Sequence, residues 1–150
     1  MKGNMKIAVA VTVFVFTIAL SFVPKAQAAC SDASLSGEFG ITWTGTNVLA
    51  SDYPPGLRAG VGILTFNGVG GLSGSVTKSK DGVISEVTGT GTYTVSADCA
   101  GSVTVTDSDG EIRTANFVII SGLLGVEVFA IQTDSGRVVT MDLKKIRQLP

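Results

Sequence analysis

Histidine is absent from this sequence. That removes the commonest general base and the commonest metal ligand. A serine–histidine–aspartate triad is excluded, and zinc held by the two cysteines alone is disfavoured. No metal and no cofactor is expected, and a non-catalytic role is favoured over an enzymatic one. The residues left for chemistry are few. Glu38, Arg113, Asn116 and Glu127 fall inside β-branched runs. Which face each takes depends on strand register, and a slip of one residue reverses the answer. Glu127 inside a barrel would be a candidate site residue; the alternative is a rim position paired with a lysine such as Lys144.

Two connections carry the other candidates. The stretch Asp107-Ser108-Asp109-Gly110-Glu111 alternates acids as the opening of a calcium loop does. It lacks the distal glutamate and the further oxygen ligands, so an ordinary hairpin turn is the favoured reading. The segment from Gly45 to Arg58 is 14 residues long, where the other connections have two to five. Long connections in compact domains are usually functional or disordered. This one contains Asp52-Tyr53-Pro54-Pro55-Gly56-Leu57-Arg58. Its prolines stiffen it, Tyr53 can stack or donate a hydrogen bond, and Arg58 can bind an anion. With Trp43 just before the segment, Tyr53 and Arg58 are the candidate ligand-binding residues. The competing reading is a plug that covers the end of the fold with apolar side chains.

The elements that must position these residues are strands. Turn signals recur at short intervals, as in Asn67-Gly68, Lys80-Asp81-Gly82, Ser121-Gly122 and Asp134-Ser135-Gly136. Glycine and Asp/Asn supply the positive φ that hairpin turns demand. Between them the spacing predicts strands near 35–44, 59–66, 71–79, 83–95, 101–107, 111–120, 125–133 and 137–146. In the first, Leu35, Phe39, Ile41 and Trp43 share a face, opposite Ser36, Glu38, Thr42 and Thr44. In the fourth and fifth, Val87, Tyr93, Val95, Val103 and Val105 oppose a carpet of Ser and Thr. One apolar and one polar face mark an antiparallel sheet with one wet side. Closing eight such strands into an up-and-down barrel removes their bare edges; a two-sheet β-sandwich is the alternative. The last three strands are apolar on both faces, with Phe129 and Ile131 opposite Val126, Val128 and Ala130. Either self-association or the tail around Ile146 and Leu149 would cover the second face.

The chain begins with Lys2 and Lys6, an apolar run of 16 residues from Ile7 to Phe22, and a small-x-small ending at Ala26-Gln27-Ala28. This is the pattern of an export signal peptide, with cleavage expected after Ala28. The run is short of the ~20 residues of a membrane helix, so no integral membrane segment is expected after cleavage. Gln27 three positions before Cys30 argues against lipidation there. Residues 29–150 form one expected domain, secreted or periplasmic. It holds eight lysines and arginines against twelve acids, a formal charge of −4. With no basic cluster before the C-terminus, nucleic acid is an unsuitable partner. Cys30 and Cys99 are expected to pair, as an even count in an exported chain implies. Two buried free thiols are the alternative. If the strands form a meander, both cysteines fall at one end of it, with 45–58 at the other. A break in the long fourth strand, at Gly89 or Gly91, would upset that parity. An outer-membrane barrel needs an apolar band all round, which the Ser, Thr and Lys of residues 71–107 do not supply.

The stretches Gly60-Val61-Gly62-Ile63-Leu64-Thr65-Phe66-Asn67-Gly68-Val69-Gly70-Gly71 and Thr88-Gly89-Thr90-Gly91-Thr92-Tyr93-Thr94-Val95-Ser96-Ala97-Asp98-Cys99-Ala100-Gly101 resemble those of small exported bacterial proteins. Those proteins carry one cysteine near the mature start and another in an Asp-Cys-x-Gly turn. At fold level the pattern is also similar to lipocalins and to allene oxide cyclase-type barrels. The lipocalin Gly-x-Trp is here Gly37-Glu38-Phe39, a departure. The resemblance implies a barrel and no activity. The leading expectation is therefore an exported barrel binding a small apolar ligand or a protein partner. A cofactor-free isomerase or cyclase, needing Glu38 or Glu127 inside a cavity, is the second. A module that assembles as a homo-oligomer through the last three strands is the third.

Overall fold

The computed structural model describes residues 29–48, 55–123 and 125–146. The expected leader with its cleavage site, Tyr53 and Leu149 lie outside the described residues. A short 3-10 helix, Asp32–Ser34, precedes eight strands. These are β1 (Ser36–Asn47), β2 (Gly56–Asn67), β3 (Gly71–Lys80), β4 (Val83–Val95), β5 (Ala100–Asp107), β6 (Ile112–Gly122), β7 (Gly125–Gln132) and β8 (Arg137–Lys145). Each pairs with the next, and β1 closes on β8 from Phe39↔Lys145 to Asn47↔Arg137. The result is a closed antiparallel up-and-down barrel, as expected, and not a sandwich.

Alternation explains the core. Every second side chain points inward, so the apolar faces of the strands meet across the axis. Phe39, Ile41, Trp43, Val87, Tyr93, Phe117, Val128, Val139 and Leu143 are buried there. Ser36, Glu38, Thr42 and Thr44 are exposed outside. β4 runs unbroken past Gly89 and Gly91, which pair with Gly74 and Leu72 on one side and with Asp107 and Val105 on the other. The tight β3–β4 hairpin needs Asp81 and Gly82 at φ +52° and +84°, a left-handed pair that this turn type favours.

β1 and β2 extend further than the sequence suggested. Gly45, Thr46 and Asn47 pair with Arg58, Leu57 and Gly56. Glycine and asparagine read as strand breakers, yet Gly45, Asn47 and Gly56 lie inside the strands. A Cβ on Gly45 would lie 2.6 Å from the Val139 Cα. The long connection thus shrinks to residues 48–55, and Arg58 belongs to a strand.

The lower end is pinned by Cys30–Cys99, whose Cα atoms are 5.0 Å apart. Both cysteines lie at the end where β1 starts and β4 finishes, as the meander required. The disulfide belongs to an oxidising compartment. The 3-10 helix is drawn onto this end by Tyr93, whose hydroxyl reaches the carbonyls of Leu35 (2.8 Å) and Asp32 (3.0 Å). The Asp32 carboxylate accepts the Val95 N–H at 2.7 Å. Burial pushes the Tyr93 hydroxyl above its ordinary range, so it stays protonated as the donor.

The outer face of β6 and β7 departs from the Ser/Thr carpet. Val118 sits opposite Phe129, and Asn116 opposite Ile131. Val118, Ile120, Phe129 and Ile131 are all exposed, Phe129 at 42%. Ile146 donates its N–H to the Glu38 carbonyl and is itself exposed.

Candidate functional site

The barrel encloses a cavity of about 140 Å3. Its waist is lined by small and β-branched side chains, among them Val76, Val103, Val105, Ala115, Val128 and Ala130. Gly74 and Gly89, paired across β3 and β4, add no side chain to that waist. Larger groups would fill the axis, so the cavity follows from the small size of these inward residues. Below, Leu35, Phe66 and Phe117 bound it. Above, its wall turns polar at Arg58, Asp107, Arg113, Thr114 and Gln132.

The upper wall belongs to a cluster of ion pairs. Asp107, Arg113, Lys78 and Arg137 occupy inward positions at the upper strand ends, continuing the alternation of Val105, Ala115, Val76 and Val139, and Glu111 lies just before β6. Arg113 Nη2 donates to Asp107 Oδ2 (2.7 Å) and to Glu111 Oε2 (2.6 Å). Arg137 Nη2 lies 3.5 Å and Arg58 Nη1 4.0 Å from the same Glu111 oxygen. Lys78 pairs with Asp109 and lies 3.9 Å from Asp107. Arg58 and Arg137 are buried, at 7% and 6% exposure.

One carboxylate therefore serves three guanidiniums. Burial alone would raise the Glu111 carboxyl. The charges of Arg113, Arg137 and Arg58 outweigh it and hold the group below its ordinary range. Asp134 behaves alike. Burial opposes its ionisation, but hydrogen bonds from Gln132 (2.6 Å) and from the Thr114 N–H (3.1 Å) and hydroxyl (2.8 Å) prevail, with help from the Arg137 charge.

These depressed carboxylates predict the direction of the acid response. Their contribution is complete above the unfolded-state values of about 4.3 for Glu and 3.9 for Asp, and is lost as pH falls through the lower folded-state values. The melting temperature is expected to be level from about pH 7 to 5 and to drop below about pH 4. Glu111→Gln is expected to cost about 1–2 kcal/mol at pH 7 and to flatten the acid limb; the figure is reduced because the Glu111 side chain is 31% exposed. Thermal melts across pH check both expectations, and an unchanged acid limb in the variant would remove Glu111 from the account.

Trp43 and Arg58 line both the inner cavity and a depression of about 420 Å3 above it, which also involves Lys78, Asp81, Asp109 and Glu111. The Trp43 indole lies over Gly60, where a Cβ would come within 2.4 Å of the ring. The glycine is what gives the indole its place against β2. Two of the three residues singled out from sequence thus meet at the upper end of the cavity; Tyr53 lies outside the described residues.

No protein-family model, no curated protein and no solved structure matches this chain. What the site can do must be read from its residues.

Glu38 and Asn116 face outward, and both are exposed. Glu127 also faces outward and pairs with Lys144 at 3.2 Å. Neither carboxylate on which the cyclase expectation rested reaches the cavity. Arg113 points inward. The acidic stretch 107–111 is a hairpin turn: Asp107 Oδ1 accepts the N–H groups of Asp109 (3.1 Å) and Glu111 (3.0 Å). Its carboxylates meet Lys78 and Arg113, cations supplied by the chain itself. Among the described residues no group of three or more acidic or cysteine side chains is arranged to hold a metal. Sequence reasoning missed Lys78, Asp107, Glu111 and Arg137 as one cluster. The signal was their parity with Val76, Val105, Ala115 and Val139, the inward residues nearest them in sequence.

Proposed function

We propose that this chain is an exported barrel that binds a small, mainly apolar molecule in its interior. The observation that carries the reading is the cavity of about 140 Å3 inside an apolar waist, bounded at one end by charged groups. An apolar cavity of about this size, ~150 Å3, admits benzene in another protein. Pockets for drug-sized ligands run from about 300 Å3 upward, so the ligand is expected to have roughly six to eight non-hydrogen atoms. Binding is favoured over catalysis by the acids of the mouth. Glu111 and Asp134 are held ionised by their partners, which makes them weak bases at neutral pH. The leader ending at Ala28 and the disulfide together support release into the periplasm or the medium.

Trp43 is the only tryptophan, so its fluorescence reports on the cavity directly. Benzene is expected to shift or quench it saturably. At about −0.8 kcal/mol per atom, six atoms give a Kd on the order of 0.1–1 mM. Ala115→Leu, which fills the waist, is expected to weaken binding at least tenfold. A linear, unsaturable response in the parent chain would defeat the reading.

A second reading is favoured by one surface. The exposed Val118, Ile120, Phe129 and Ile131 lie beside the Glu127–Lys144 pair. An acid and a base on the same patch suit a two-fold contact between copies of this chain. Light scattering at rising concentration tests it, and a monomer at millimolar concentration would count against it.

A further inference from the structure

We propose that the ligand is a short monocarboxylic acid, bound with its carboxylate at Arg113 and its apolar end toward Phe117. This rests on the cavity reading above and names the chemical class that the cavity takes. The polar groups of the wall are segregated to one end: Arg58, Asp107, Arg113, Thr114 and Gln132 line the top, and the waist and floor are apolar. A molecule matching this wall is apolar along its length and polar at one tip.

The nature of the tip follows from the donors. Arg113 makes both of its ion pairs through one nitrogen, Nη2. Its Nε–H is buried and has no hydrogen-bond partner. A buried donor left unsatisfied is costly, and the same guanidinium belongs to the cavity wall. The charged groups on the wall itself are two guanidiniums, of Arg58 and Arg113, against one carboxylate, of Asp107. The wider cluster is near balance, since Glu111 and Asp109 stand behind the wall with Arg137 and Lys78. The face that a ligand meets is thus the cationic side of the cluster. An anionic oxygen takes a charge-assisted bond from a guanidinium, stronger than a neutral acceptor would. Guanidinium geometry suits a planar carboxylate. The cavity volume limits the acid to about six to eight non-hydrogen atoms, in the size class of benzene and a little above.

The test compares hexanoate with hexanamide, which has the same number of non-hydrogen atoms and no charge, with benzene as the probe of the cavity itself. Affinities at neutral pH are read from amide shifts in two-dimensional NMR spectra of the oxidised mature chain. Hexanoate is expected to bind at least tenfold more tightly than hexanamide, and Arg113→Gln to erase that preference. Intermolecular NOEs in the parent chain decide the orientation without any variant: the methylene beside the carboxylate near Arg113, the terminal methyl near Phe117. Hexanamide binding as tightly as hexanoate, or the reversed orientation, would overturn the proposal while benzene binding kept the cavity reading intact. If benzene also failed to bind, both readings would fall. Shifts confined to Lys144 and Lys145 on the outside would likewise overturn the proposal.

Discussion

Replacing Cys30 and Cys99 together with serine is expected to destabilise the oxidised chain by about 4 kcal/mol. The two residues are 69 positions apart, and cross-linking a loop of that length removes much of the unfolded chain's freedom. The bridge also starts from an unusual backbone position. Cys99 takes a φ of +68°, a conformation that non-glycine residues rarely adopt. It is held there by its N–H to the Ser96 carbonyl and by its own carbonyl accepting the Ile119 N–H. The bridge ties this turn to the segment that leads into the 3-10 helix. For a domain of this length, ~4 kcal/mol corresponds to a fall in Tm of about 15 °C. Thermal melts of the parent and the double variant, with and without reductant, read the effect. A shift below about 3 °C would mean that the strand ladders alone fix the lower end.

Phe39→Ala is expected to cost about 3–5 kcal/mol, the range for deleting a fully buried aromatic side chain. Phe39 has no exposed surface. Its ring meets Phe66 edge-on with centroids 5.2 Å apart, and Phe66 meets Tyr93 in the same way at 5.2 Å. Aromatic pairs so arranged add about 0.5–1.5 kcal/mol beyond the area they bury. The rings sit between the waist and the 3-10 helix, so the lost volume cannot be refilled from solvent-exposed side chains. Chemical denaturation should show a lower midpoint with an unchanged slope. A loss under about 1 kcal/mol would mean that Leu35 and Phe66 collapse into the space.

Both effects act on parts of the fold that were legible in the sequence. The alternation of Leu35, Phe39, Ile41 and Trp43 fixed which face of β1 lies inward, because the side-chain period of a strand is two. Strand count, closure and the shared end of the two cysteines followed from turn chemistry and edge avoidance. The ends of β1 and β2 were not legible. Gly45, Asn47 and Gly56 carry breaker chemistry, and only the tertiary contact of Gly45 with Val139 shows why a residue without a Cβ extends a strand there. The charged mouth was half legible. Arg58 was singled out from a loop argument yet acts from a strand, whereas Trp43 lies on the inward face of the first strand, where the alternation put it. Arg113 was noted with its direction left open, because one residue of register decides it. Lys78 and Arg137 were passed over, and Asp107 and Glu111 were read only as parts of a turn, because charged residues at strand ends ordinarily face water. Here they gather with Arg58 and Arg113 into one set of ion pairs at the upper end. Glu38 and Glu127 show the opposite case: acids inside apolar runs that face outward.

The proposed ligand binding by this chain depends most on the apolar cavity inside the barrel. Crystals of the oxidised chain pressurised with xenon test it directly, since xenon enters apolar cavities of this size. A xenon atom is expected on the barrel axis, in contact with Val128, Phe117 and the side chains of the waist. Xenon found only on the outer face over Val118 and Phe129, or an axis filled by repacked side chains, would contradict the account.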